Sequence, residues 1–224
     1  MKVGILGSGM VGQTIGAKLA ERGVDVMLGT RTPKQVDDKR GMAAPLAEWL
    51  AKVGKKGRLG TFAEAAAHGE VVINATSGTS SLEALKLAGA KNLDGKILID
   101  IANPLDLSKG MPPSLSICNT DSLAEQIQKA FPDAKVVKTL NTTNAYVMVD
   151  PGQVAGGDHD IFVSGNDAEA KTRVTSLLKE WFGWKSVIDL GDITTARGTE
   201  MVLPIWIRLW GALGTPMFNF KIAK

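Results

Sequence analysis

A glycine-rich loop near the amino terminus carries the clearest chemical signal in the sequence. The segment Gly7-Ser8-Gly9-Met10-Val11-Gly12, called the glycine loop below, lies between the apolar run Lys2–Leu6 and a stretch with helical periodicity. Its three glycines allow a tight turn, close approach of a pyrophosphate and close helix packing, in that order. The amides of Met10 and Val11 at the helix N-terminus would bind the phosphates. A βα turn without a ligand is the alternative, but the flanking strand and helix favour a dinucleotide site.

The residues after the next strand predict which dinucleotide binds. The strand Val24–Leu28 runs into Gly29-Thr30-Arg31-Thr32-Pro33-Lys34, where an NAD-binding protein would carry an Asp or Glu for the ribose hydroxyls. Thr30 offers a hydroxyl, Arg31 a guanidinium fork and Lys34 a nearby point charge, and this combination suits a dianionic 2′-phosphate. A solvated turn before a helix starting at Pro33 is the alternative. The sequence therefore predicts NADPH.

Three further loops follow predicted strands and carry short polar side chains. Open parallel sheets bind ligands at the carboxyl ends of their strands, so these loops are candidates for further cofactor contacts. The residues are Thr76 and Ser77 after Val71–Ala75, Asn103 after Ile97–Ile101, and Asn141, Thr142 and Thr143 after Lys135–Leu140. Helix capping is the alternative for each loop, and for Thr143 it is as good an explanation as ligand binding.

A proton donor for carbonyl reduction is hard to find in this sequence. His68 lies at the end of an alanine-rich helix, His159 is in a loop flanked by Asp, and Lys138 lies within a strand and could point to either face. Tyr146, the only tyrosine, lacks a Lys four positions later. One Cys and two isolated His predict no metal site. We therefore expect an acceptor that needs no protein acid, such as a flavin-like ring, with positioning as the mechanism and no catalytic residue.

Strands and helices alternate along the chain in the way that would position these loops. The alternation predicts an α/β, Rossmann-type doubly wound parallel sheet with helices on both faces. A second group follows a glycine-rich stretch: a strand at Asp160–Ser164, a helix at Asp167–Trp181, a strand at Ser186–Asp189 and a long apolar helix from about Thr194. We expect residues 1–149 to form the NADP-binding domain and residues 150–224 a small C-terminal lobe.

Composition limits the partners and the compartment. The 224 residues carry a formal charge of +3, and the basic residues form no aromatic-interleaved cluster, so small anionic ligands are favoured over nucleic acid. The single Cys118 fits a reducing cytoplasm. The longest apolar stretch, Met201–Trp210, contains Pro204 and Arg208 and is shorter than the ~20 residues of a membrane span, so we expect a soluble protein.

The motifs together resemble those of the NADPH-dependent coenzyme F420 reductases, also called F420-dependent NADP oxidoreductases. The resemblance covers nearly the whole chain, and the opening segment alone is shared with many dehydrogenases. The segments that carry it are MKVGILGSGMVGQTIGAKLAERG, GTRTP, IDIANPL, VVKTLNTTNA and the tail TEMVLPIWIRLWGALGTPMFNFKIA.

The resemblance implies hydride transfer between NADP(H) and the deazaflavin coenzyme F420 in a homodimer built partly from the C-terminal lobe. It places Ser8, Met10 and Val11 at the pyrophosphate, Thr30 and Arg31 at the 2′-phosphate, and Asn103, Asn141 and Thr142 at the nicotinamide. Candidates for the deazaflavin pocket are Leu203, Pro204, Ile207 and Met217. The tail departs from the family in carrying Trp206 and Trp210, which either narrow that pocket or, as their spacing favours, pack on one helix face.

Two other functions stay open at this point. The same fold could reduce another acceptor, such as a flavin, a ferric chelate, an imine or a ketone. A non-catalytic NADPH sensor would instead bind the cofactor without turnover and signal through the apolar tail.

Overall fold

The core of the protein is one eight-stranded sheet with the order β10-β9-β8-β5-β4-β1-β2-β3. The computed structural model describes residues 1–38 and 43–224. The strands of this sheet are β1 (Lys2–Leu6), β2 (Asp25–Gly29), β3 (Gly57–Gly60), β4 (Val71–Asn74), β5 (Ile97–Asp100), β8 (Lys135–Thr139), β9 (Asp160–Ser164) and β10 (Ser186–Asp189). A separate two-stranded hairpin pairs β6 (Leu105–Asp106) with β7 (Ser114–Leu115).

Ten α-helices connect or flank these strands in the described part of the chain. They are α1 (Met10–Glu21), α2 (Leu46–Val53), α3 (Phe62–His68), α4 (Ser81–Ala88), α5 (Ala90–Leu93), α6 (Leu123–Ala130), α7 (Ala145–Val149), α8 (Ala168–Phe182), α9 (Ala196–Met201) and α10 (Leu203–Leu213). The predicted strands and helices match these elements to within a few residues, apart from the short helices, the hairpin and the tail.

The central strands are apolar on both faces because helices cover both sides of the sheet. All four residues of β4 are buried, and so are the last four of β1. One apolar layer holds Ile15 and Leu19 of α1 together with Val174 of α8. The other layer holds Leu85 of α4 and Ile127 of α6. Burial on both faces is typical of parallel sheets in doubly wound folds, so the predicted fold class is confirmed.

Two strands, β9 and β10, run against the other six strands of the sheet. β9 pairs with β8 in antiparallel register, with Lys138 opposite Ser164 and Thr139 opposite Val163. β10 then pairs parallel to β9, so both strands of the predicted C-terminal lobe extend the same sheet. Residue 160, where β9 begins, therefore lies beyond the carboxyl end of β8. The domain boundary between residues 149 and 150 stays a prediction.

The tail differs from the single long helix expected from about Thr194. Two helices, α9 and α10, meet at Val202, and Pro204 stands in the first turn of α10. Proline fits that position because the first amides of a helix have no acceptor within the helix. No helix among the described residues has the length and apolar character needed to cross a membrane.

Candidate functional site

The three glycines of the glycine loop have different surroundings. Gly7 has a φ of +115°, and a Cβ on it would lie 2.5 Å from the carbonyl oxygen of Ala75. A Cβ on Gly12 would lie 2.0 Å from the carbonyl oxygen of Gly7, whereas one on Gly9 would meet no described atom within 4 Å. Gly7 and Gly12 are thus required by the protein's own packing. Gly9 faces open space, where a ligand can approach the backbone.

The N-terminus of α1 has no side-chain cap. Its N-cap residue is Gly9, and no acidic residue lies in its first turn. By contrast, Thr61 caps α3, Ser122 caps α6 and Asp167 caps α8, each by accepting a hydrogen bond from a backbone amide. The first amides of α1 and the positive end of its dipole therefore point toward an anion site.

A cleft of about 360 Å³ opens beside the glycine loop, at the carboxyl ends of β1, β2 and β4. Predicted site residues on its wall are Gly7, Ser8, Gly9, Thr30, Arg31, Thr76 and Ser77. Phe62, Glu83, Ala84 and Leu87 also line it and were not identified from the sequence. They come from α3 and α4, whose existence was predicted, but the helix faces that turn toward the cleft were not.

The predicted 2′-phosphate residues lie at one end of this cleft. Thr30 is 3 % exposed, and its backbone amide donates to the carbonyl oxygen of Gly60 at 2.9 Å. Arg31 is exposed on the cleft wall, and Lys34 is exposed but does not line the cleft. A buried threonine therefore stands beside an exposed guanidinium, and a second exposed cation lies three residues further along the chain.

Asn103 and Asn141 form a reciprocal pair two strands further along the same sheet edge. The Asn103 side-chain amide donates to the Asn141 carbonyl at 2.8 Å, and the Asn141 amide donates to Asn103 Oδ1 at 2.9 Å. They follow β5 and β8, which are neighbours in the sheet. The two loops predicted to hold the nicotinamide are therefore joined directly to each other.

Two buried hydroxyls beside this pair have no hydrogen-bond partner among the described residues. They belong to Thr142 and Thr143, which are 1 % and 7 % exposed. The capping alternative for Thr143 is wrong, because Asn144 caps α7 by accepting from the amides of Tyr146 and Val147. Buried hydroxyls without partners are costly, so both are available to a ligand that reaches this loop.

Lys138 is the centre of a buried charged cluster that the sequence did not predict. Its Nζ lies 2.8 Å from Asp100 Oδ2 and 2.8 Å from Glu200 Oε1, and it also donates to the carbonyl oxygen of Ala102. Burial alone lowers the pKa of Lys138, but the two carboxylates raise it by more, so the net direction is upward. The ammonium is therefore held in its charged form.

The cluster continues toward the cleft through Asp100. Its Oδ1 accepts from the Asn74 side-chain amide at 2.8 Å and from the Ala102 backbone amide at 3.3 Å. Asn74 Oδ1 in turn accepts from the Thr76 hydroxyl at 2.7 Å. These hydrogen bonds connect the loops after β4 and β5, and Lys138 links them to strand β8.

The candidate proton donors His68, His159 and Tyr146 lie away from the cleft beside the glycine loop. His68 Nε2 lies 3.2 Å from the carbonyl oxygen of Asp25, at the start of β2 and thus at the opposite edge of the sheet. Both ring nitrogens of the buried His159 have contacts, at 3.0 Å to the Pro151 carbonyl oxygen and 2.8 Å to the Asn219 amide nitrogen. Tyr146 is 51 % exposed on α7. None of the three lines the cleft beside the glycine loop within the described chain.

The tail residues predicted for the acceptor pocket lie on α10 and just after it. Leu203 is buried, Ile207 is half-buried and Pro204 is exposed. Met217 packs against the core, and its neighbour Pro216 accepts a hydrogen bond from the Asn144 side chain. The tail therefore contacts the loop that follows β8.

Trp206 and Trp210, the two tail residues in which the sequence departs from the family, differ in burial. Trp206 is 8 % exposed and stacks on Phe218 with a ring-centroid distance of 5.2 Å, while Trp210 is 39 % exposed. Trp206 Nε1 is buried without a partner among the described residues. One tryptophan thus packs inside the tail, and the other remains at the surface.

The doubly wound sheet and the cleft beside the glycine loop are those of a Rossmann-type oxidoreductase that uses a dinucleotide. Residues 2–104 match the family described as NADP oxidoreductase, coenzyme F420-dependent. A crystal structure from Arthrobacter sp. FB24, named provisionally as an F420-dependent NADP reductase, is 60% identical over 100% of both chains with a TM-score of 0.95. The chain belongs to this family and is an NADP-dependent oxidoreductase.

Two relatives of lower sequence identity are named for different electron acceptors. The F420-dependent NADP reductase of Methanocaldococcus jannaschii is 28% identical over 93% of this chain and 92% of its own length. Rat metalloreductase STEAP3 is 29% identical over 92% of this chain, but the chain spans only 38% of that protein. These two relatives therefore both match most of this chain, and their names indicate different acceptors.

Proposed function

We propose that this protein transfers a hydride between NADP(H) and the deazaflavin ring of coenzyme F420. The nicotinamide supplies the hydride chemistry, and the protein binds, orients and shields the two rings. Support for the acceptor comes from the whole-length 60% identity to the Arthrobacter protein and from the match to the methanogen reductase.

The residues present fit an NADP(H) molecule lying along the carboxyl edge of the sheet. The open backbone at Gly9 and the uncapped amides of Met10 and Val11 would hold the pyrophosphate. Thr30 and Arg31 would hold the 2′-phosphate, with Lys34 as a longer-range charge. Gly7, Ser8, Thr76 and Ser77 line the cleft, and Gly12 lets α1 pack against Gly7. Asn103, Asn141 and Thr142 would bind the nicotinamide end. The hydroxyl of Thr142 has no hydrogen-bond partner among the described residues, which favours that role.

The observation that carries the acceptor class is the position of the candidate proton donors, because none of His68, Lys138, Tyr146 and His159 lines the cleft beside the glycine loop in the described chain. His159 and Lys138 are buried with their polar atoms satisfied by the protein, and His68 lies at the other edge of the sheet. A carbonyl or imine acceptor would need such a donor, whereas a deazaflavin takes the hydride on carbon and leaves proton exchange to water. We place the ring against Leu203, Pro204, Ile207 and Met217.

The test is a spectroscopic assay with purified protein. NADPH and oxidised coenzyme F420 are mixed, and loss of the visible absorbance of the deazaflavin is followed, with NADH as the parallel donor control and free flavin as the parallel acceptor control. Rapid loss of the coenzyme F420 absorbance with NADPH, but not with NADH, supports the proposal. NADPH binding without bleaching excludes this acceptor and leaves another acceptor or the sensor.

A second candidate acceptor is a flavin or ferric chelate. The match to metalloreductase STEAP3 covers 92% of this chain and favours testing it, although that protein is much longer. Ferric chelate reduction, with and without added flavin, in the same NADPH assay separates this acceptor from coenzyme F420.

We also propose that the chain works as a homodimer. Ile205 and Leu213 on α10 are 55 % and 56 % exposed, and an apolar helix face of this kind fits a second copy of the same lobe. Sedimentation velocity on the wild type and on Ile205→Glu would test this, since the variant should shift to monomer.

A further inference from the structure

The tail is tied to the cofactor loops through buried charges. Glu200 lies in α9 and is 1 % exposed, yet its Oε1 reaches Lys138 in the middle of the sheet. Lys138 then contacts the carbonyl oxygen of Ala102, directly before Asn103. Asp100 extends the same chain of contacts to Asn74. We call these four side chains, Asn74, Asp100, Lys138 and Glu200, the buried network.

We propose that Glu200 is a positioning residue for hydride transfer, acting through the buried network to fix the loops that carry Asn103 and Asn141 relative to the tail. This inference rests on the proposed function of the same site. Glu200 itself contacts Lys138 and the amides of Leu123 and Ala124, and we propose no contact between Glu200 and the reacting rings. It sets the distance between the side chains expected at the nicotinamide and the helix expected at the acceptor ring.

The hydrogen-bond geometry of the network leaves little freedom. An ammonium has three protons, and Lys138 directs them to Asp100, Glu200 and the Ala102 carbonyl. Both Glu200 oxygens are also occupied, because Oε2 accepts from the Leu123 amide at 2.8 Å and Oε1 from the Ala124 amide at 3.1 Å. Glu200 thus caps α6 and pairs with Lys138 at once.

Stability alone does not account for burying these three ionised groups. Well-packed apolar side chains of similar volume are often as stabilising as a buried ion pair, because desolvation cancels much of the attraction. Directed charged contacts do, however, select one arrangement of the elements that carry them. Here those elements are β5, β8 and α9, which support the cofactor loops and the tail.

The test compares Glu200→Gln with Arg197→Gln. Glutamine keeps the shape but must aim an amide N–H group at the Lys138 ammonium or at the amides of α6. The control removes the Arg197–Glu125 ion pair, which also joins α9 to α6 at 2.6 Å but does not touch Lys138. The two variants and the wild type are compared by hydrogen exchange without ligand, then by NADPH titration and by steady-state kinetics.

We expect Glu200→Gln to accelerate exchange at residues 102–104 and 141–143 by about tenfold or more, with little change in β1 and α1. We expect kcat to fall about tenfold to a hundredfold, the cost of misplacing reacting groups by up to about 1 Å, while the KM for NADPH changes less than about threefold. Arg197→Gln should show neither effect.

Equal behaviour of the two variants would overturn the inference, and so would exchange that rises uniformly over the whole chain. If Glu200→Gln does not fold, Glu200→Asp is the second variant, because it keeps the charge on a shorter side chain. It should change the exchange rates at residues 102–104 and 141–143 and the kcat in the same direction, by smaller factors than those expected for Glu200→Gln. The exchange and NADPH measurements need no acceptor. They therefore test Glu200 even if the wild type does not reduce coenzyme F420, which would refute only the proposed function.

Discussion

Replacing Arg31 with alanine should weaken NADPH binding and leave NADH binding nearly unchanged. A charge-assisted hydrogen bond contributes about 1.5–3 kcal/mol when well shielded, and Arg31 is exposed on the cleft wall while the buried Thr30 remains. Solvent screening reduces this contribution, so the expected loss is about 1–2 kcal/mol, which extends below the lower end of that range. That loss corresponds to a roughly five- to thirtyfold higher Kd.

The assay is a fluorescence titration of NADPH and NADH at two salt concentrations. Arg22→Ala is a matched control, because Arg22 is an exposed arginine at the C-terminal end of α1, away from the cleft. The preference for NADPH over NADH should shrink in Arg31→Ala and stay constant in the control. An unchanged NADPH affinity, or an equal loss for both dinucleotides, would refute the assignment of Arg31 to the 2′-phosphate.

Three further predictions concern the glycine loop, the loop after β8 and the α9–α6 ion pair. Gly12→Ala should lower the unfolding free energy by about 1–3 kcal/mol, because its Cβ would meet Gly7, whereas Gly9→Ala should alter thermal unfolding little and raise the Kd for NADPH about tenfold or more. Thr142→Val removes a buried hydroxyl that has no described partner, so denaturant unfolding should show equal or higher stability while calorimetry shows about three- to tenfold weaker NADP(H) binding. The hydrogen bond from Arg197 lowers the pKa of Glu125, so this pair stabilises the fold fully above the usual value of 4.5 and less as the pH falls below it. Thermal midpoints measured across that range should therefore depend less on pH in Arg197→Gln than in the wild type.

The nucleotide half of the protein could be predicted from the sequence because its signals are local. The strand β1, the glycine loop and α1 follow one another, and each has its own pattern of apolar or glycine residues. Parallel strands also bring their carboxyl ends to one edge, so the polar residues after β4, β5 and β8 could be named together as candidates for cofactor contacts. In the structure, hydrogen bonds between Asn103 and Asn141 join two of these loops.

The remaining features depend on contacts between distant segments. Lys138 lies in a strand that is buried on both faces, so alternation of apolar residues does not say which way its side chain points. Its partner Asp100 lies 38 residues earlier, and Glu200 belongs to another element altogether. The antiparallel direction of β9 is similarly invisible, because a short apolar strand has the same pattern in either direction. Pro204 gave the one local sign that the tail helix is interrupted.

The residues proposed for the cofactor and those proposed for the acceptor lie in different parts of the chain. The family model covers residues 2–104, which hold the glycine loop, the 2′-phosphate residues and Asn103, and none of these touches an acceptor in our proposal. In the same proposal the acceptor ring lies against α10 and Met217, and the tail that carries them contacts the cofactor loops through Glu200 of α9 and through Asn144. Substitutions that change the acceptor should therefore fall in residues 200–217, whereas substitutions in the glycine loop should weaken every NADPH-dependent reaction alike. Measuring the ratio of coenzyme F420 to ferric chelate turnover in both sets of variants would separate the two contributions, because only the tail set should change the ratio.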